Sequence, residues 1–149
     1  MLKGRTCAGG RKKRQWKSKA ESTSPTAHTE SVLLAAIVDA YEERFVGISD
    51  VKGAYLNADF GEFLLIKFEN EQVKIMCDIN KKYKKYVLTK NRKQVLYIVL
   101  NKVLHDCVQS ALLWYKMLSS FLIDMGFVLN PYDLCVANKV IDGTQCAIV

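Results

Sequence analysis

Ala111, Trp114, Tyr115, Leu118, Leu122 and Met125 recur at the spacing of one helical face, and Gly126 stands where such a helix should stop. The pattern predicts a helix over about 108–125, in which Trp114 and Tyr115 read as core rather than as a ligand box. A helix with one apolar stripe has to bury it against another layer. The other segments read mostly as strands: 45–48, 63–68, 73–79, 95–100, 134–140 and 146–149. Val73, Ile75, Cys77 and Ile79 alternate with other residues in the manner of a half-buried strand, and 95–100 has the β-branched and aromatic content of a central one. Asn130-Pro131-Tyr132-Asp133 predicts a turn and Asp142-Gly143 a hairpin. A second helix is predicted over about 30–44, with Thr29 at its N-cap, Glu30 in its first turn, and Leu33, Ala36, Ile37, Ala40 and Tyr41 on its apolar face. His28 reads as a solvated loop residue. Helices and strands mix without regular alternation, which favours an α+β fold with an antiparallel sheet packed on helices.

Composition narrows the class. The 149 residues fit one domain, half of them are hydrophobic, and no apolar run is long enough to cross a bilayer. The basic N-terminus has no apolar core behind it, so it does not read as a secretory signal. Cys7, Cys77, Cys107, Cys135 and Cys146 form no close pair, as expected of reduced thiols in an intracellular protein. The expected compartment is cytoplasmic or nuclear, with no membrane partner.

Charge is segregated. Residues 1–19 hold eight Lys/Arg and no acid, and residues 81–93 hold seven more and no acid. The net charge of +7 therefore belongs to two segments, while the remainder is acidic. This distribution points to a polyanion touched by basic patches, chiefly Arg11, Lys12, Lys13 and Arg14 in the first segment and Lys84 and Lys85 in the second. A solvated tail and a solvated lysine-rich loop would have the same composition.

One further stretch bears on chemistry. Asp50 follows the apolar residues Phe45-Val46-Gly47-Ile48, so a buried strand there would hold a carboxylate rigidly at its tip. Such a position suits a metal-binding acid, although an Asp after a strand is more often a turn or cap residue. Its setting is Ser49-Asp50-Val51-Lys52-Gly53-Ala54-Tyr55-Leu56-Asn57.

Taken in order, Lys3-x-Arg5, the Asp50–Asn57 stretch, Leu104-x-x-x-x-Gln109-Ser110, Trp114-Tyr115, Gly126-Phe127 and Asp133-x-Cys135-Val136 resemble the reverse transcriptase of copia-type retrotransposons, over nearly the whole chain. The resemblance implies partial fingers and palm of a right-hand polymerase, with 1–20 as a basic arm starting the fingers and 21–149 as one fingers–palm domain. It implies RNA-directed DNA synthesis on an RNA template and DNA primer, with dNTP as substrate and two Mg²⁺ ions as cofactor. Mg²⁺ takes oxygen ligands in octahedral geometry, and Asp50 matches the first catalytic carboxylate and metal ligand. Lys3 and Arg5 match a phosphate-gripping pair. The backbone at Val51 would lie near the triphosphate, Ala54 would let the sugar approach, and Tyr55 would exclude a 2′-hydroxyl. His105, Gln109 and Ser110 fall in the segment that would line the nucleotide pocket.

The chain departs from that pattern. His105-Asp106 stands where Tyr-Gly is usual, Val108 where a basic residue is usual, and Ala111 in place of Pro. No Asp-Asp pair occurs, so the Tyr-x-Asp-Asp hairpin that supplies the other metal ligands is absent, and the thumb is expected to be missing too. The expectation is a fragment that does not polymerise alone. The alternative is a non-catalytic nucleic-acid-binding remnant acting through 1–19 and 81–93.

Overall fold

The computed structural model describes residues 15, 17–105 and 107–149. Along the chain these form α1 (Thr29–Tyr41), α2 (Ala54–Asn57), β1 (Leu65–Glu69), α3 (Glu71–Ile79), a 3₁₀ helix (Lys81–Tyr86), β2 (Leu88–Lys90), β3 (Lys93–Val99), α4 (Ser110–Asp124), β4 (Val128–Leu129), β5 (Ala137–Ile141) and β6 (Thr144–Ile148). The class is α+β, with two small antiparallel sheets ordered β1-β3-β2 and β4-β5-β6. Among the described residues no helix is long and apolar enough to cross a membrane. The chain divides into two compact units, one made of residues up to 58 together with 104–149, the other of 59–103.

In the first unit α4 ends as its sequence predicts. Gly126 takes φ +86°, its N–H reaches the Ile123 carbonyl at 2.8 Å, and the Phe127 N–H reaches Leu122 at 3.0 Å. These two bonds make a Schellman cap, which needs a residue in the left-handed region and so favours glycine. Buried Phe127 follows the cap, and Lys139 on β5 donates to the Met125 carbonyl at 2.7 Å. A cation at that end complements the negative pole of the helix. β5 and β6 are joined by Asp142 and Gly143, both at positive φ, the condition of the two-residue type I′ hairpin.

α1 forms where its period predicts, but with a different face turned inward. Ser31, Ala35, Val38 and Asp39 are half-buried, whereas Leu33, Ala36, Ile37, Ala40 and Tyr41 are exposed. Asp39 on the inward face meets Arg44, whose guanidinium also pairs with the exposed Glu42 just past the helix and donates to Gln145 on β6 at 3.4 Å. The N-cap position is His28 rather than Thr29, and no side chain of its own caps the helix.

Residues 45–48 do not form the predicted strand. No ladder joins them among the described residues, and Phe45 and Ile48 are fully exposed. Apolar content alone does not make a strand where no neighbouring edge takes up its backbone groups.

In the second unit β3 is the central strand, as its composition predicts, with Ile66, Phe68 and Lys67 on β1 opposite Ile98, Leu96 and Tyr97. The predicted strand over 73–79 is instead α3. Val73, Met76 and Cys77 satisfy a helical period as well as the alternation does, and Val73 and Cys77 pack with Leu96 as a buried cluster ringed by Phe68, Met76, Tyr83, Val87 and Ile98. Ile75 and Ile79, which only the alternating pattern would bury, are exposed. Glu71 in the first turn pairs with Lys74 at 2.7 Å. The lysine-rich 80–93 segment, whose composition suggests a hairpin or a loop, does contain a hairpin. It forms the 3₁₀ helix, begun by the Asn80 side chain accepting from the Lys82 N–H, and the β2–β3 hairpin, whose two turn residues Asn91 and Arg92 sit at φ 51° and 59°.

Candidate functional site

The stretch that carries Asp50 is a turn rather than a strand tip. After the exposed 45–50 segment the Ala54 N–H bonds the Val51 carbonyl at 3.2 Å, and Gly53 at φ +63° starts the single turn of α2. Asp50 and Val51 are exposed, while Ala54 and Tyr55 are half-buried. A β-carbon at Gly53 would meet only Leu56, at 3.6 Å, so backbone conformation and not space favours glycine there. The expectation of a carboxylate fixed by a buried strand is therefore corrected: Asp50 is displayed on a short, solvent-facing turn.

The second predicted segment lies in the same unit. Tyr55 and His105 meet edge to face, with ring centroids 5.3 Å apart at 76°, and α2 packs against α4. This geometry sets the positive edge of one ring against the negative face of the other. The turn that follows is pinned from within. Ser110 is buried, and its hydroxyl lies 2.7 Å from the Leu104 carbonyl and 2.9 Å from that of Cys107, while its N–H bonds Cys107 at 3.1 Å. One hydroxyl proton shared between two carbonyls closes the turn leading into α4 and ties Ser110 to a positioning task. Gln109 is also buried.

Asp133 is the residue that sequence reasoning leaves without a role. Its carboxylate accepts the His28 N–H at 2.9 Å and the Cys135 N–H at 3.0 Å, and the Ser31 hydroxyl donates to it as well. Those donors, the Ser31 hydroxyl first, hold its pKa down at about 2. Asp133 thus caps α1 from a distant turn. The Asp-x-Cys spacing is a signal for the local half of this arrangement, an Asx turn. Close by, the Tyr115 hydroxyl donates to the Leu134 carbonyl at 3.2 Å, and burial pushes the Tyr115 hydroxyl and the Cys135 thiol to higher pKa than usual.

The structure brings Tyr55 together with His105 and places Ala54 and Val51 beside them in sequence. Lys84 and Lys85 belong to the other unit, on the exposed 3₁₀ helix, with the Lys85 ammonium 4.7 Å from the centre of the Tyr86 ring. Lys3, Arg5 and the Arg11, Lys12, Lys13, Arg14 run lie outside the described residues. The donors present do not fit the implied pair of Mg²⁺ ions. Among the described residues no three His, Cys, Asp or Glu side chains are grouped to hold a metal, and the whole sequence has no adjacent aspartates. No protein-family model, curated protein or solved structure matches this chain.

Proposed function

We propose that this chain is a fingers–palm portion of a copia-type reverse transcriptase, in which the 50–56 turn and the 104–110 segment form one wall of a dNTP-facing surface. The observation that carries this reading is the Tyr55–His105 contact, which joins the two motifs assigned to the nucleotide pocket across the intervening sequence. Tyr55 stands half-buried next to Ala54 in the turn, the combination suited to a sugar lacking a 2′-hydroxyl. The 104–110 turn is fixed by Ser110, so the wall on that side is preorganised. Asp50 is the sole carboxylate of the turn, and one carboxylate does not hold two divalent ions. The chain alone is therefore a nucleotide-facing surface without the means to join nucleotides.

Titration with dATP and with ATP, followed by backbone amide chemical shifts, tests the reading. The expected result is a set of shifts confined to 50–56 and 104–110, larger for dATP than for ATP, and narrowed in difference by Tyr55→Ala. Absence of any shift at millimolar dATP, or shifts centred elsewhere, would overturn it. Primer extension on an RNA template that vanishes in Asp50→Ala would overturn the statement that the chain does not polymerise.

A further inference from the structure

Among the described residues the two sheets leave β1 and β2 as edge strands in one and β4 and β6 in the other. An open edge invites pairing with a further strand unless it is short, charged or interrupted. All but one of these edges carry such protection. β1 has Lys67 and Glu69, β2 is three residues ending in Lys90, and β4 is only Val128 and Leu129. β6 has none: Thr144-Gln145-Cys146-Ala147-Ile148 holds no charge and no proline, and it pairs with β5 without a bulge.

The β5–β6 hairpin fixes which backbone groups that edge offers. Ile141 and Thr144 flank a two-residue turn and exchange both their hydrogen bonds, and the ladder then alternates. Thr144, Cys146 and Ile148 therefore turn their N–H and C=O groups to β5, while Gln145 and Ala147 turn theirs to the open edge. Among the described residues no other segment takes up those groups. One face of the strand is occupied, since Gln145 and Ala147 line a cleft with Ser31, Ala35 and Val38 of α1. From the side the strand stays accessible, and Thr144, Gln145, Ala147 and Ile148 are all exposed.

We propose that two copies of this chain join through this edge, β6 against β6, antiparallel about a two-fold axis at Cys146. In that register Gln145 of each copy meets Ala147 of the other, and each such pair exchanges both its hydrogen bonds. The strand suits itself because its edge-facing residues lie symmetrically about Cys146, so every N–H finds a C=O. The chain carries a net charge of +7, yet this edge brings no like charges opposite one another, and Thr144 lies opposite Ile148. Both open edges are consumed in the contact, and the joined sheet ends at the two-residue β4 of each copy. The assembly is therefore a closed dimer rather than a filament. Cys146 faces its own copy in a pair without backbone bonds, where the Cα atoms stand about 4.5 Å apart, within the reach of a disulfide. The proposal draws on no residue of the 50–56 turn or the 104–110 segment.

Sedimentation velocity of the whole chain under reducing conditions, from micromolar to millimolar concentration, tests it. Expected is a monomer–dimer equilibrium with nothing larger. Ala147→Pro removes an N–H that only the second copy would use, and should weaken dimerisation on the order of tenfold or more. Cys146→Lys sets two ammonium groups directly opposite each other and should weaken it as well. Circular dichroism shows whether each variant keeps its fold, and Cys146→Lys, which leaves the backbone unchanged, decides the matter if the proline variant unfolds. Mild oxidation should join wild-type copies through a disulfide between their Cys146 residues, identified by peptide mapping and lost in Cys146→Ser. A chain that stays monomeric, species that grow beyond the dimer, cross-linking confined to another cysteine, or a folded variant that dimerises like the wild type would overturn the proposal.

Discussion

The Asp133 carboxylate accepts the backbone N–H of His28 across 105 residues of sequence, at 2.9 Å. It serves the N-terminus of α1 as a cap, and with its other oxygen it holds the Cys135 N–H of its own turn. One side chain thus fixes where α1 starts and how the approach to β5 is shaped.

Acid should expose this arrangement. Asp133 titrates at about 2 in the folded protein, against 3.8 for an ordinary aspartate, so its contribution is complete above pH 4 and is lost as pH falls towards 2. Urea midpoints of the wild type and Asp133→Asn, measured from pH 7 down to pH 2, should differ most above pH 4 and converge below it. An Asn offers one acceptor where two N–H donors and a hydroxyl converge, so the variant should be the less stable of the two at neutral pH.

The Tyr55–His105 contact should register as a coupling. Edge-to-face aromatic pairs contribute about 0.5–1.5 kcal/mol beyond their buried area. A double-mutant cycle of Tyr55→Ala and His105→Ala, read by chemical denaturation, should return an interaction free energy in that range. Additive single effects would mean that the rings are merely adjacent.

Helix and strand readings of 71–79 make opposite statements about Ile79. On α3 it is exposed, so Ile79→Lys should change stability by less than about 0.5 kcal/mol. Leu96→Ala, by contrast, empties a fully buried position in the Val73–Cys77 cluster and should cost about 2–5 kcal/mol. Were 73–79 a half-buried strand, Ile79 would share the buried face with Val73 and Cys77 and the lysine would be costly.

The Asn91-Arg92 hairpin carries a side chain where the backbone prefers none. Arg92 sits at φ 59°, and a type I′ turn takes glycine most readily at that position. Arg92→Gly should raise stability by about 0.5–1 kcal/mol in thermal unfolding, since the relieved strain outweighs the added freedom of the unfolded chain.

How much of this is legible in the sequence depends on how local each cause is. The Gly126 cap, the Asp142-Gly143 hairpin and the central β3 strand follow from residues close to one another, and they form as the sequence predicts. The 73–79 segment differs from its prediction because its apolar residues satisfy both periods, and only contact with Leu96 selects the helical one. The α1 face differs for a related reason. Leu33, Ile37 and Tyr41 form the more apolar stripe, yet Asp39, Arg44 and Gln145 turn the other stripe inward through contacts no period encodes. At the candidate site the Asp50–Leu56 turn is legible as a motif, whereas its exposure and its meeting with His105 depend on chain segments far apart. The Asp133 cap is the extreme case, because its donor lies near the opposite end of the described chain.

The unit formed by 59–103 closes on itself. Asp59 pairs with Lys102 as an isolated antiparallel bridge and through an ion pair at 2.7 Å, and the Phe60 N–H bonds the Asn101 carbonyl at 2.9 Å. Bridged residues lie about 5 Å apart, so the inserted stretch returns the chain close to where it took it up. In polymer terms it has the closure entropy of a tight hairpin rather than of a long loop. It is consequently a cassette: replacing 59–103 by a short glycine-containing turn should leave cooperative unfolding of the remaining unit measurable by calorimetry, and insertions of different length are tolerable at this junction as long as their two ends meet.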